Sequence, residues 1–214
     1  MRRILSVGLS ILVALSGCAS YTPSSAPIPK AGSMPGWVTE GAVAIGADPH
    51  VQADRQKAVF DADLGEAGVL PVQVLVQNRG DRGLLVRRSD IALVLPDARM
   101  LSPAGASAVA AKLESIGGVV GASIAFGMIG FLAASSAEDK ARAARQTDFR
   151  SKELQDVTLG KEESVHGFVF FIPPQGTPAF DEATLTVRVV DVEDGSSVVV
   201  RLPLRGLGSK GAPK

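Results

Sequence analysis

Residues 69–78 read Val69-Leu70-Pro71-Val72-Gln73-Val74-Leu75-Val76-Gln77-Asn78, and Arg79-Gly80-Asp81-Arg82-Gly83 follows. Val72, Val74 and Val76 alternate with Gln73, Leu75 and Gln77, a period of two that lines one face of an extended strand. The Asn, Gly and Asp residues behind it supply turn chemistry. Working toward the C-terminus, Leu84–Val86 and Ile91–Leu95 are the next apolar stretches, interrupted by Arg87-Arg88-Ser89-Asp90, which reads as a bulge or a solvated face. Pro96-Asp97 marks another turn. Weaker strand signals lie at Val38–Ile45 and Lys57–Phe60. Beyond residue 154, Val165–Ile172 holds Phe168, Val169, Phe170 and Phe171 in succession, apolar on both faces as a central strand would be, and Pro173-Pro174 stops it. Leu185, Val187 and Val189 alternate with Thr186, Arg188 and Val190; Glu193-Asp194-Gly195-Ser196 then leads into Val198, Val200, Leu202 and Leu204, a hairpin pattern. About seven or eight short strands with glycine turns predict a mainly β fold, an antiparallel β-sandwich over residues 37–206.

A long segment at about 103–154 interrupts that pattern. Ser102 with Pro103 reads as a helix start, and Ala104–Ser115 is helix-compatible. Ile116–Ala134 carries no charge and holds Gly117, Gly118, Gly121, Gly127 and Gly130. Ser136 with Asp139 resembles a capping box for a polar helix from Ala137 to about Leu154, with Glu138/Arg142 and Asp148/Lys152 as i,i+4 pairs on its surface. Nineteen residues, 116–134, would span ~28 Å as a helix, near a bilayer's hydrocarbon thickness. Gly117 and Gly121 form a G-x-x-x-G, and Ala125 extends that small-residue face. One membrane crossing here would put the two groups of strands on opposite sides of a bilayer. The expectation is therefore a helical hairpin projecting from the sandwich, its turn near Ser135-Ser136. Its apolar arm would contact a membrane or a second copy of the chain, or pack on its own domain.

The 214 residues are 46% hydrophobic and 21% charged, enough for one ordinary core plus tails. Twenty-two basic residues balance 22 acidic ones, and without Arg2 and Arg3 the balance is −2. Nucleic-acid binding needs a concentrated basic excess, so none is expected. A lone cysteine, Cys18, excludes an intrachain disulfide framework and any multi-cysteine metal site.

Met1-Arg2-Arg3 and the apolar run Ile4–Leu15 read as an export signal, too short for a stop-transfer helix. Arg2-Arg3 also leaves twin-arginine export open. The run ends in Leu15-Ser16-Gly17-Cys18, which resembles the lipobox of bacterial lipoprotein precursors. That resemblance implies a signal peptide over residues 1–17, cleavage before Cys18, and acylation of Cys18 with diacylglycerol and palmitate-type chains. Several chains at ~0.8 kcal/mol per buried CH2 anchor stably. In that family an Asp after the cysteine retains the protein in the inner membrane, so with Ala19 there the resemblance implies the outer membrane, periplasmic face. Residues 18–36, rich in Pro, Ser, Ala and Gly, read as a semi-extended lipidated tether. Residues 207–214 read as a flexible tail.

Leu159–Val165 with Gly167–Pro173, and Val69–Asn78, are similar to strand patterns of uncharacterised immunoglobulin-like accessory domains of bacterial envelope proteins, which imply no catalytic residues. Other chemistry is sparse. His50 and His166 read as structural. Gly121-Ala122-Ser123-Ile124-Ala125 lacks the last glycine of a nucleophile elbow, and no helix can follow Gly206-Leu207-Gly208-Ser209-Lys210-Gly211 to hold a phosphate. Asp61, Asp63 and Glu66 lack calcium-loop spacing. No cofactor or metal is expected. The sequence reads as a lipid-anchored, non-enzymatic envelope module with an unknown envelope protein as partner. Gly117, Gly121, Ala125, Gly127 and Gly130 are its candidates for helix packing or membrane contact. An envelope hydrolase assembled only in three dimensions, or a chaperone-like binding sandwich, are the alternatives.

Overall fold

A computed structural model describes residues 23–117, 128–174 and 182–207, without the side chains of 116–117 and 128–138. The fold is mainly β, with antiparallel sheets and three helices. One sheet runs β1 (Gly36–Glu40), β2 (Val43–Pro49), β3 (Leu70–Asn78), β7 (Ser164–Phe171). The other runs β5 (Met100–Leu101), β4 (Leu84–Val94), β8 (Thr184–Asp191), β9 (Ser197–Pro203), with β6 (Val157–Leu159) also paired to β4. The helices are α1 (Ala53–Phe60), α2 (Ala106–Gly117) and α3 (Met128–Lys152).

The period-two pattern of β3 works as written. Leu70, Val72, Val74 and Val76 join Val43, Ile45 and Ala47 of β2, and Val169 and Phe171 of β7, in a core shared with the second sheet. Leu84, Val86, Ile91 and Leu93 of β4 and Leu185, Val187 and Val189 of β8 face them. Strict alternation cannot place both Val86 and Ile91 inward, because five positions separate them. A bulge resolves this. Val86 pairs with Val189 and Ile91 with Val187, so Arg87-Arg88-Ser89-Asp90 stand opposite Arg188 alone. Arg87 Nε closes the bulge on Asp90 Oδ2 at 2.7 Å. The two apolar stretches around the arginines are thus a single strand.

Asn78, fully buried, ends β3 and locks two turns together. Its amide nitrogen donates to the carbonyls of Arg82 (2.7 Å) and Gly160 (3.0 Å), while its oxygen accepts from the Gly80 N–H at 2.9 Å. The expected hairpin at 193–196 forms between β8 and β9. Val38–Ile45 is two strands folded back at Gly41, whose φ of +57° a side-chain-bearing residue rarely adopts.

The outer face of the first sheet carries a second core. Phe168 and Phe170 point away from the inter-sheet core and meet Val59 and Phe60 of α1, Ala106 and Val109 of α2, and Phe149 of α3. This layer corrects two expectations. Lys57–Phe60 is helical, because Val59 and Phe60, adjacent in sequence, are both buried against the Phe pair, as a helix stripe allows. β7 is the last strand of its sheet rather than a central one; its second apolar face is covered by helices, which leaves the same sequence signature as a sheet interior. Its free edge is partly occupied too, since the Leu154 N–H donates to the Phe168 carbonyl at 2.9 Å and the Ala104 N–H to that of Phe170 at 2.8 Å. A Cβ on Gly167 would lie 2.5 Å from the Leu154 nitrogen, so glycine permits this approach.

Candidate functional site

Two of the sequence candidates, Gly117 and Gly130, fall on α2 and α3, a helix pair whose base is held by buried charged groups. The N-terminus of α2 is not capped by Ser102. The helix opens at Ala106, whose N–H donates to Glu153 Oε1 at 2.6 Å, so the carboxylate just past α3 neutralises the positive end of α2. Glu153, itself buried, also meets Arg88 Nη1 of the β4 bulge at 2.5 Å. Further along the pair, Arg142 Nε of α3 binds Glu114 Oε1 of α2 at 2.8 Å. The two links, 106 with 153 and 114 with 142, fix an antiparallel register.

That register moves the expected turn. Ser135 and Ser136 lie within α3, which is helical from Met128, so Ser136 opens no separate helix. Helix propensity runs unbroken from Met128 through Ala137 with no proline to stop it, and Gly130 alone weakens it. Arg142 reaches across to Glu114 rather than serving only its own helix; Glu138, its expected partner, is outside the described side chains. Asp148 and Lys152 do pair, but as a buried couple rather than a surface one. Lys152 Nζ also donates to the Val59 carbonyl at 2.6 Å and stands 5.5 Å from the centre of the Phe60 ring. Among the candidate small residues, Gly117 closes α2 and Gly130 lies in the first turn of α3; Cys18, Gly121, Ala125 and Gly127 lie outside the described residues. Among the described residues no helix is long and apolar enough to cross a membrane.

The Val59 carbonyl has a second donor, Ser24 Oγ of the tether, at 2.6 Å. Ala26 packs on the second core, and Gln73 Nε2, buried on the outer face of β3, donates to the Pro27 carbonyl at 2.7 Å. The sequence reads this tether as an extended spacer, but Ser24, Ala26 and Pro27 lie on the domain. A proline-rich segment exposes carbonyls that its own backbone cannot pair, and Gln73 meets one of them. The strap walls one side of a cleft of about 450 Å3 whose opposite side includes Ser151, Lys152, His166 and Phe168. The sequence did not mark this docking, because Gln73 and Gln77 occupy equivalent outer positions of β3 and only Gln73 meets the strap.

The two histidines occupy different settings. His166 is exposed on β7. His50 is buried, its ring edge-on to Phe168 at 5.0 Å, and neither ring nitrogen has a hydrogen-bond partner among the described residues. Asp48 Oδ2 is 3.7 Å from Nε2, beyond hydrogen-bond reach, and is engaged by Arg55 Nη2 at 2.5 Å. Burial, and then the Arg55 charge, push the His50 pKa down to about 4, against the opposing pull of Asp48. Among the described residues no hydroxyl or thiol is paired with this imidazole, the arrangement that nucleophilic catalysis uses. The Asp61–Glu66 segment is a turn in which Asp63 Oδ1 accepts the Glu66 N–H at 3.0 Å.

Compared with known proteins, the sequence matches no protein-family model and no curated protein. Among solved structures it is similar to ycdA of Bacillus subtilis, a candidate lipoprotein, at 17% identity and a TM-score of 0.40, over 77% of this chain and 37% of that one. It is also similar to the yjhA protein of Bacillus subtilis at 11% identity and a TM-score of 0.38, over 77% of this chain and 94% of that one. The chain thus spans little more than a third of ycdA.

Proposed function

We propose that this chain is a lipid-anchored, non-enzymatic module of the bacterial cell envelope. It would be held at the outer membrane by acylated Cys18, with an immunoglobulin-like sandwich as its body and the α2–α3 pair as its contact element, toward membrane or a second copy. The observation that carries this reading is the division of the helix pair. Its described core contacts come from the base, through Ala106, Val109, Leu113 and Phe149. The described parts of the uncharged run, 116–117 and 128–134, lie at the other end, where α2 finishes and α3 begins. An uncharged stretch beyond a charged, domain-bound base suits insertion into an apolar partner.

Liposome flotation and light scattering on residues 19–214 test it. The expected outcome is flotation or a defined oligomer, lost when Ile116, Phe126 and Phe131 are each changed to Glu. A monomer that stays off vesicles before and after those changes overturns the reading.

A further inference from the structure

We propose that residues 24–29 form a docked strap that holds the domain close to the same bilayer that carries Cys18, so that the helix pair acts on the anchoring membrane. The inference rests on the reading of Cys18 as the lipid anchor and adds where the domain then sits.

Three fixings carry it. Ser24 Oγ is bound to the Val59 carbonyl at 2.6 Å, Ala26 is packed on the second core, and the Pro27 carbonyl is held by the buried Gln73 amide at 2.7 Å. Ser33 turns back on the Lys30 carbonyl, and Met34 is buried before β1 begins. A free tether from Cys18 to Gly36 would stretch to ~60 Å at ~3.3 Å per residue. With Ser24 pinned, six residues remain, and the leash is at most ~20 Å. The 25-residue α3 is ~37 Å long. Its C-terminal end sits at the strap's docking point, because Lys152 Nζ and Ser24 Oγ share the Val59 carbonyl. The helix pair therefore starts at the strap, no more than ~20 Å of chain from Cys18, and is longer than that leash, so the bilayer holding Cys18 is the apolar surface within its reach. Ile28 and Val51, two of the four exposed large hydrophobics among the described residues, lie on this side, next to the Gln73–Pro27 and His50–Pro71 contacts of β3.

The test uses the full chain, expressed in a bacterial host, purified from its membranes and reconstituted into phosphatidylcholine vesicles carrying a headgroup energy-transfer acceptor. With Cys18 acylated, Lys57→Cys beside the strap and Asp81→Cys at the far end of β3 each provide the sole free thiol for a donor dye. Transfer should be clearly stronger from position 57 than from position 81. Ten Gly-Ser residues inserted after residue 22, which leave the strap docked, should reduce transfer from position 57 at least twofold. Gln73→Leu and Ala26→Asp, two independent ways of undocking the strap, should do the same and should raise amide exchange over residues 24–30. Equal transfer from both positions, or no response to the insertion and to undocking, overturns the proposal. A chain whose Cys18 lacks acyl mass and fails to enter vesicles also overturns it, but through the anchor; protected exchange at 24–30 would then show the strap docked and place the fault in the lipidation reading.

Discussion

The core between the two sheets and the core beneath the helices are built by different rules. Between the sheets, aliphatic side chains from successive strands interleave, and the buried polar groups sit at the rim, as Asn78 does in its turns. Beneath the helices, four phenylalanines from α1, α3 and β7 meet edge to face: Phe60 lies 5.5 Å from Phe149, 4.8 Å from Phe168 and 5.6 Å from Phe170. Charged groups flank this layer: Lys152, paired with Asp148, stands over the Phe60 ring, and the Arg55–Asp48 pair lies beside His50, which meets Phe168. The first core is one of ladder-bonded strands. The second joins segments distant in sequence, with five side chains from residues 59–69 and only one or two from each of α2, α3 and β7, and so it should open more readily than the sheets.

The largest expected effect that sharpens this contrast is at Phe60. Phe60→Ala removes the ring that touches the other three and should cost about 3–5 kcal/mol. Amide exchange should rise first in α1, residues 24–30 and the base of α3, while β3 and β4 stay protected; uniform loss of protection would erase the distinction between the cores. Next is Lys152→Met, which leaves the Asp148 carboxylate buried beside an apolar chain and should cost about 3 kcal/mol in urea unfolding. Adding Asp148→Leu should recover most of it, and no recovery would mean that the pair is not a coupled unit.

His50 gives the same layer a pH dependence. Its pKa is lowered from the ordinary 6.5 to about 4, so the unfolded chain binds a proton between those values that the folded chain refuses. Stability from this group is full above pH 6.5 and is lost as pH falls toward 4, by on the order of 3 kcal/mol in all. Asp48 and Arg55 are the charges that face it. The wild-type minus His50→Leu difference in unfolding free energy should slope across pH 4–6.5 and be flat above; a flat difference throughout would mean the imidazole is not neutral in the fold. The smallest effect belongs to Arg142→Ala. Its half-exposed pair with Glu114 should contribute less than about 1 kcal/mol, and salt should mask it. A loss of several kcal/mol there would mean that the helix pair supports the body rather than projecting from it.

What could be read in the sequence follows the same division. Strands β3, β4, β8 and β9 were legible because the inter-sheet core repeats every second residue, and the Arg87–Asp90 interruption was visible as a break in that period. The edge position of β7 was not, because Phe168 and Phe170 look the same beneath helices as beneath a second sheet. α1 was missed because Val59 and Phe60 give a burial stripe too short to show a helical period. The pairing of Asp148 with Lys152 was written in their spacing, and its burial was not.

The sequence by itself determined the lipobox-like Leu15–Cys18, the alternation that builds two antiparallel sheets and the uncharged run 116–134, all of which are local patterns in consecutive residues. Tertiary structure alone decided that the tether is strapped to Val59 and Gln73, that Glu153 caps α2, and that Arg142 answers Glu114. Those contacts join residues far apart in the chain, and a hydroxyl, amide or carboxylate in a sequence carries no mark of the partner that folding brings to it.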